Sequence, residues 1–386
     1  MDQQVMRDAQ VVAETVKVVM IPSVSGGIGH ISRTATLARA LRRLDPRVEV
    51  EYVLDAERLR PFNIEATMQM GYRPRLMPPR NRDSRDGIAR ACLGGASVIV
   101  DDTMRFLVPL RHVVPEAAWV TLPMHPLGDE LFMDWPFMMQ MDAIIWAYAP
   151  LVGLPPELEI VRDKVVQTGP FLETDGVPDK AEARARLGLA PGEQAVLYAP
   201  RGFPFGREFG HRVLGGLYGA VERLRQGAFP GLRLVLIAVK EPGELRGVPG
   251  VPETLPDWVE VRGVLPQADA LLAMQAASIV VGEGTSTMHE AAGLRTPLVL
   301  TPGPIHETIL LAQKLDQHGA GHAIMPEHVG VDALANAFGA VLSRPEEAAA
   351  MADRAHALVT GGGGVEAAAR LVLDLAARRG AGVQRG

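Results

Sequence analysis

Short runs of Val, Ile and Leu recur along the chain, and each is followed by a stretch with helical period. The first run is VKVVMIP (Val16–Pro22), and ISRTATLARALRRL follows it closely. A strand with helices on both faces is buried on both faces, so its residues need not alternate between apolar and polar. The pattern predicts an α/β chain with doubly wound parallel sheets. In the first half the runs place strands at Val16–Ile21, Val48–Leu54, Ser97–Val100, Ala117–Leu122 and Asp142–Ala147. Helices are expected at Ile31–Leu44, Ala56–Met70 and Met104–Val113. The segment VVQTGPFLETDGVPDK (Val165–Lys180) has no period and reads as a linker, being rich in Pro, Gly and Asp. The pattern then restarts. A strand at Gln194–Pro200 leads to the loop RGFPFG and a helix near Glu208–Arg225. Strands follow at Leu232–Val239, in WVEVRGV, at Ser278–Gly282 and at Pro297–Thr301.

The 386 residues are too many for one ordinary core. We expect a loose lead-in over 1–15 and a Rossmann-like domain over 16–168. A linker over 169–180 and a second Rossmann-like domain over 181–364 come next. A helix and tail over 365–386 either cross back to the first domain or close the second. Ligands of such sheets bind beyond the carboxyl ends of the strands. Two units on one linker add a cleft between them.

Composition narrows the function classes. The net charge of −6 argues against a nucleic-acid binder. A single cysteine, Cys92, excludes a disulfide framework and a Cys-based metal site and fits a reducing cytoplasm. No stretch reaches the roughly 20 apolar residues of a membrane-spanning helix.

Three stretches carry the candidate chemistry. In SGGIGH (25–30), Gly26, Gly27 and Gly29 lie between a strand and a helix, followed by His30. They make a tight turn, or a site where helix N–H groups attract an anion beside an imidazole that exchanges protons near pH 7. In VIVDDT, Asp101 and Asp102 end a strand, either as a turn that caps the next helix or as partners for His30, with Asp102 the first choice. The longest is GEGTSTMHEAAGLRTPLVLTPGPIHET (Gly282–Thr308). Its Gly284, Thr285, Ser286 and Thr287 open a helix as an anion cradle. Glu290 is placed either to bind a ribose diol or to close a capping box with Thr287.

The spacing of Gly284, Thr287, Glu290, Pro297, Pro302 and Glu307 resembles the donor-binding signature of GT-B glycosyltransferases. The nearest groups are the peptidoglycan N-acetylglucosaminyltransferases and the UDP-sugar-dependent natural-product transferases. SGGIGH resembles their first glycine loop, and VVQTGPFLETD their interdomain segment. The resemblance implies a GT-B fold of two Rossmann-like domains facing a central cleft. It implies an inverting, metal-independent transferase that takes a sugar from a nucleoside diphosphate, UDP or dTDP first, to an acceptor hydroxyl. His30 would be the general base and Asp102 its partner. Glu290 would bind the ribose; Thr285, Ser286 and Thr287 the diphosphate, with Arg201 and Gly202 facing it; Val264 and its neighbours the base; His306 and Glu307 the sugar. His125 and the Met-rich segment Met124–Met141 would line the acceptor side, or belong to the core. The acceptor is a small molecule or a glycan. No further cofactor is implied, and a homodimer is left open. The chain departs from the pattern at Thr308, where relatives carry Gln, at Gly282, where plant-type members carry His, and in its first loop, where the peptidoglycan enzymes have one more glycine. Two other readings stand beside the transferase: a UDP-N-acetylglucosamine 2-epimerase of the same fold, and a sugar-nucleotide binder without turnover.

Overall fold

The computed structural model describes residues 15–24, 29–79, 85–103, 110–123, 135–199, 206–237, 245–283, 285–303 and 305–383. In the first half, strand β1 (Val16–Pro22) precedes helix α1 (Gly29–Leu44), and β2 (Val48–Asp55) precedes α2 (Pro61–Gln69). Then come β3 (Arg75–Met77), α3 (Arg85–Leu93), β4 (Val98–Asp102), β5 (Ala118–Thr121), α4 (Trp135–Gln140) and β6 (Ala143–Trp146). A short α5 (Pro156–Glu159) leads to β7 (Val165–Gln167). All seven strands form one parallel sheet in the order β3-β2-β1-β4-β5-β6-β7.

The second half begins with α6 (Lys180–Arg186), capped by the Asp179 side chain on the Glu182 N–H. Strand β8 (Ala195–Ala199), α7 (Gly206–Gln226), β9 (Arg233–Ile237), β10 (Val259–Gly263), α8 (Gln267–Ala276) and β11 (Ile279–Gly282) follow. After them come α9 (Thr285–Gly293), β12 (Leu298–Leu300), α10 (His306–Gln317) and β13 (His322–Ala323). Helices α11 (Val331–Ser343), α12 (Pro345–Val359) and α13 (Gly364–Val383) end the chain. The second sheet is also parallel, in the order β10-β9-β8-β11-β12-β13.

Each sheet separates two apolar clusters, as doubly wound strands require. The first sheet buries Val19, Ile21, Ile99 and Trp119 on one face, and Val18, Met20, Val98 and Val100 on the other. The second face is covered by Leu37 and Leu41 of α1 and by Val365, Ala368, Ala369 and Val372 of α13. The C-terminal helix thus crosses back to the first domain. Arg43 of α1 pairs with Glu366, and Arg379 reaches Asp142 at 3.0 Å.

Among the described residues the sequence pattern and the structure differ at several places, helix α3 among them, which is not one of the expected helices. The linker segment begins with a strand, because β7 adds to the sheet edge beside β6. The expected helix Ala56–Met70 starts only at Pro61. Proline favours the first helical turn, and Ala56 spends its N–H on the Met77 carbonyl. The expected helix Met104–Val113 lies outside the described residues up to 109, and 110–113 form turns. The strands β3 and β13 are too short for an apolar run to announce them.

The linker and the re-entry segment before α13 touch. Gly364 donates its N–H to the Thr168 carbonyl at 2.7 Å. Gly169 has φ +76, and a Cβ there would lie 2.1 Å from the Gly361 carbonyl oxygen. A Cβ on Gly362, at φ +91, would lie 2.7 Å from the Thr168 carbonyl carbon. Close backbone approach explains Gly362, while Gly363 and Gly364 are held at positive φ. Gly169→Ala is expected to cost about 2–4 kcal/mol in urea denaturation, from the left-handed backbone and the clash together. Gly176→Ala, at φ +83 with open space around it, is the control and should cost only about 1–2 kcal/mol.

Candidate functional site

In the first sheet the strand order reverses between β1 and β4, and in the second between β8 and β11. These are the topological switch points where doubly wound sheets open a crevice for ligands. Asp102 is the last residue of β4, and His30 stands at the start of α1, the helix after β1. The two meet: His30 Nδ1 lies 2.8 Å from Asp102 Oδ1. Arg33, one turn further along α1, grips the same carboxylate with both arms. Its Nε donates to Oδ2 at 3.0 Å and one Nη to Oδ1 at 2.5 Å. The Thr103 hydroxyl lies 3.0 Å from Oδ1 and 3.1 Å from the Leu122 carbonyl.

The Asp102 side chain is 0% exposed, while His30 and Arg33 each retain 18%. Burial alone pushes the Asp102 carboxyl up, but Arg33 and His30 outweigh it and hold it well below the usual carboxylate range. The same partnership keeps the Arg33 guanidinium charged, against its own burial. With Nδ1–H given to Asp102, Nε2 is the basic nitrogen of His30. Thr103 has φ 68, a strained backbone for a β-branched residue, directly after the carboxylate. Asp101 points elsewhere: its Oδ2 accepts from the buried Thr121 hydroxyl at 2.8 Å. Of the two aspartates, only Asp102 meets His30.

At the second switch point, Gly282 ends β11 and α9 starts at Thr285. Thr285 and Thr287 are half-buried and Ser286 is exposed. Thr287 sits inside the helix, so the capping box with Glu290 is not formed. Burial alone pushes the Glu290 carboxyl up to about 7. Glu307, buried in the first turn of α10, lies close enough to Arg33 for its charge to support the guanidinium. His306 beside it is exposed. Val264 is 60% exposed just past the end of β10, at the edge of the sheet. The expected residues Gly26, Gly27, His125, Arg201, Gly202 and Gly284 lie outside the described residues.

The two switch points face one another. A Cβ on Gly29, the first residue of α1, would lie 3.7 Å from Ser286 Oγ on α9. Below this contact, Arg39 of α1 pairs with Glu173 of the linker and reaches Gln267 of α8 at 3.3 Å. Both helices thus bring their N-termini, and the partial positive charge there, to one seam.

Three features of the site are not visible in the sequence. Arg33 stands on the helix that follows the glycine loop, but its pairing with Asp102 shows only in the structure. Glu283 is buried and accepts from the Tyr198 hydroxyl across β8 and β11. His289 is buried one residue before Glu290. Among the described residues, no group of three or more His, Cys, Asp or Glu is placed to hold a metal ion, and no helix is long and apolar enough to cross a membrane.

No protein-family model and no curated protein matches the sequence. Solved structures do match the fold. Spinosyn forosaminyltransferase superposes with a TM-score of 0.66 at 15% identity, over 94% of this chain and 100% of that one. MurG of Acinetobacter baumannii gives 0.62 at 13% identity, over 94% and 100%. A Listeria monocytogenes protein assigned as a UDP-N-acetylglucosamine 2-epimerase gives 0.62 at 13% identity, over 93% and 95%. The chain has the GT-B fold.

Two stability tests follow from the charges. Asp102→Asn leaves Arg33 without its counter-ion and should cost about 3 kcal/mol at pH 7, read by urea denaturation. In the wild type, the stability that Asp102 supplies is present above the ordinary carboxylate pKa near 4 and fades as pH falls below it. Glu290 has the opposite sign. Its folded-state pKa is raised, so it binds protons more readily folded than unfolded, and its ionisation lowers stability as pH rises toward 7. Glu290→Gln should raise Tm at pH 8 and leave it nearly unchanged at pH 4.

Proposed function

We propose that this protein is an inverting glycosyltransferase, with His30 as the general base and a nucleoside diphosphate sugar as donor. The observation that carries the reading is the His30–Asp102 pair, set at one switch point and facing the N-terminus of α9 at the other. A base needs a partner behind it and a lone pair for the substrate; the Asp102 contact at Nδ1 is such a partner and leaves Nε2 for the substrate.

The chemistry runs as a single displacement. His30 Nε2 takes the proton of an acceptor hydroxyl. The oxygen attacks the anomeric carbon, and the bond from that carbon to the diphosphate oxygen breaks on the opposite face. The electron pair leaves with the nucleoside diphosphate, and configuration at the carbon inverts. Asp102 orients the imidazole and stabilises the imidazolium. Arg33 fixes Asp102 in turn, so the pair is set before substrate arrives. The α9 N-terminus, with Thr285, Ser286 and Thr287, supports the charge that builds on the leaving group. Glu290 would accept from the ribose hydroxyls, and Glu307 with His306 would hold the donor sugar. Val264 would flank the base.

Incubation with UDP-, dTDP-, GDP- and ADP-sugars and a panel of small-molecule and glycan acceptors tests the reading. We expect acceptor-dependent release of one nucleoside diphosphate. His30→Ala should lower kcat by about 100- to 10,000-fold, with the diphosphate Kd nearly unchanged. Conversion of a sugar nucleotide without acceptor and without diphosphate release would replace the transferase with an epimerase. A folded protein that binds no nucleoside diphosphate at all would remove the reading. Binding should also tighten as pH rises through about 7, where Glu290 ionises to accept from the ribose, and Glu290→Gln should flatten that profile.

A further inference from the structure

His289 is only 6% exposed, and its Nε2 is buried with no hydrogen-bond partner. A polar atom orphaned in a protein interior is costly, and no side chain or carbonyl of the described residues satisfies this one. Its position says what it awaits. Ser286 and His289 are three residues apart on α9 and share one helix face. Gly29 and Arg33 are four apart on α1 and share another. Ser286 is the residue that approaches Gly29. The Ser286–His289 face of α9 therefore looks at the Gly29–Arg33 face of α1. Side chains in a helix lean toward its N-terminus, so the imidazole of His289 leans back toward the level of Thr285 and Ser286.

Two helix N-termini and the Arg33 guanidinium converge on that place; the Asp102 charge is shared between Arg33 and His30, and the Glu307 charge lies near Arg33. Burial, with the Arg33 charge added, pushes His289 down to about 4, so its ring is neutral at physiological pH. A neutral imidazole there carries one N–H and adds no third positive charge. Among ligands that would satisfy Nε2, an anion also gains from the two helix N-termini, and a neutral hydroxyl does not.

We propose that His289 is a phosphate-binding residue, its Nε2–H donating to the diphosphate of the donor nucleotide in the seam between α1 and α9. The inference rests on the glycosyl-transfer reading above and adds a donor to the site that the sequence motif does not include. It also predicts a trade between stability and binding. An apolar residue of similar size at 289 removes an unsatisfied buried group, so the free protein should hold or gain stability while the nucleotide binds less well.

The test is calorimetric titration and thermal unfolding of the full chain and of His289→Met, His289→Gln and His289→Asn. The ligands are UDP, dTDP, GDP and ADP, and the nucleoside of whichever diphosphate binds. Gln can place its amide nitrogen near the position of Nε2, and Asn near that of Nδ1. We expect His289→Met to keep or raise Tm and to weaken diphosphate binding about tenfold or more, with the nucleoside affinity unchanged. Gln should retain most of the affinity, and Asn should lose it. Equal diphosphate affinity in the wild type, Met and Asn variants would overturn the proposal. So would a parallel loss for diphosphate and nucleoside, which marks a structural role. If His289→Met does not fold, the Gln and Asn pair decides by the same comparison. A wild type that binds none of the diphosphates fails the glycosyl-transfer reading itself. Binding by the wild type without a His289 effect fails only this inference.

Discussion

A fully buried carboxylate is the constraint around which the first domain is arranged. Asp102 ends a central strand, where no solvent reaches it, and an isolated charge in that place would be untenable. Arg33 meets it with two parallel hydrogen bonds, the geometry in which a guanidinium best offsets a carboxylate. That grip fixes the rotation of α1 about its own axis. His30, three residues earlier on the same helix, then falls against Oδ1. The strained backbone at Thr103 belongs to the same arrangement, since it turns the chain sharply away once the carboxylate is placed. Removing the Arg33 interaction would therefore disturb the His30 ring without touching it.

The orientation of α1 also decides how the two domains meet. Gly29, at its start, has no side chain to hold the helix away from Ser286. Further down, Thr36 and Arg39 turn toward Glu173 in the linker. A Cβ on Gly293, at the far end of α9, would lie 2.9 Å from Leu172 Cδ1, so the linker is held between the two helices. On the other side of α1, the small residues Ala368 and Ala369 let α13 lie close against the sheet. The chain therefore crosses between domains twice, at 168–170 and at 359–364, and the backbones of the two crossings touch. Glycine is what permits this, because the Thr168 and Gly361 carbonyls occupy the space that side chains would need.

Much of this is legible in the sequence, for a physical reason. Strands buried on both faces must be apolar throughout, so runs such as VVMI and VIV announce themselves without help from the rest of the chain. The His30–Asp102 pairing is legible because Asp102 ends one strand and His30 opens the helix after another, and parallel sheets gather such ends together. Edge strands are not, because β3 and β13 take their order from neighbours rather than from their own side chains. Arg33 follows the glycine loop in the sequence, but its role does not show there because an arginine on an amphipathic helix is ordinarily solvated. Only the tertiary position of Asp102 makes it a counter-ion. His289 is hidden inside the motif that contains it. The spacing Gly284, Thr287, Glu290 draws attention to its named positions, and nothing in a string of letters reports which way a helix face is turned.

The two sides of the seam differ in how their polar groups are satisfied. On the first domain, Asp102, Arg33 and His30 hold one another, so the desolvation of their charges is offset within the protein. On the second domain, burial alone raises the Glu290 carboxyl, and His289 Nε2 and the hydroxyl of the fully buried Thr301 have no partners among the described residues. An enzyme that must activate a nucleophile benefits from a base fixed in advance, because reorganisation at the moment of reaction costs rate. A surface that must recognise a polar donor benefits from groups left wanting, because a ligand that lacks the matching polar atoms leaves them buried and unpaired. On the proposed transfer reading, this asymmetry would divide the work, the α1 side reacting and the α9 side discriminating.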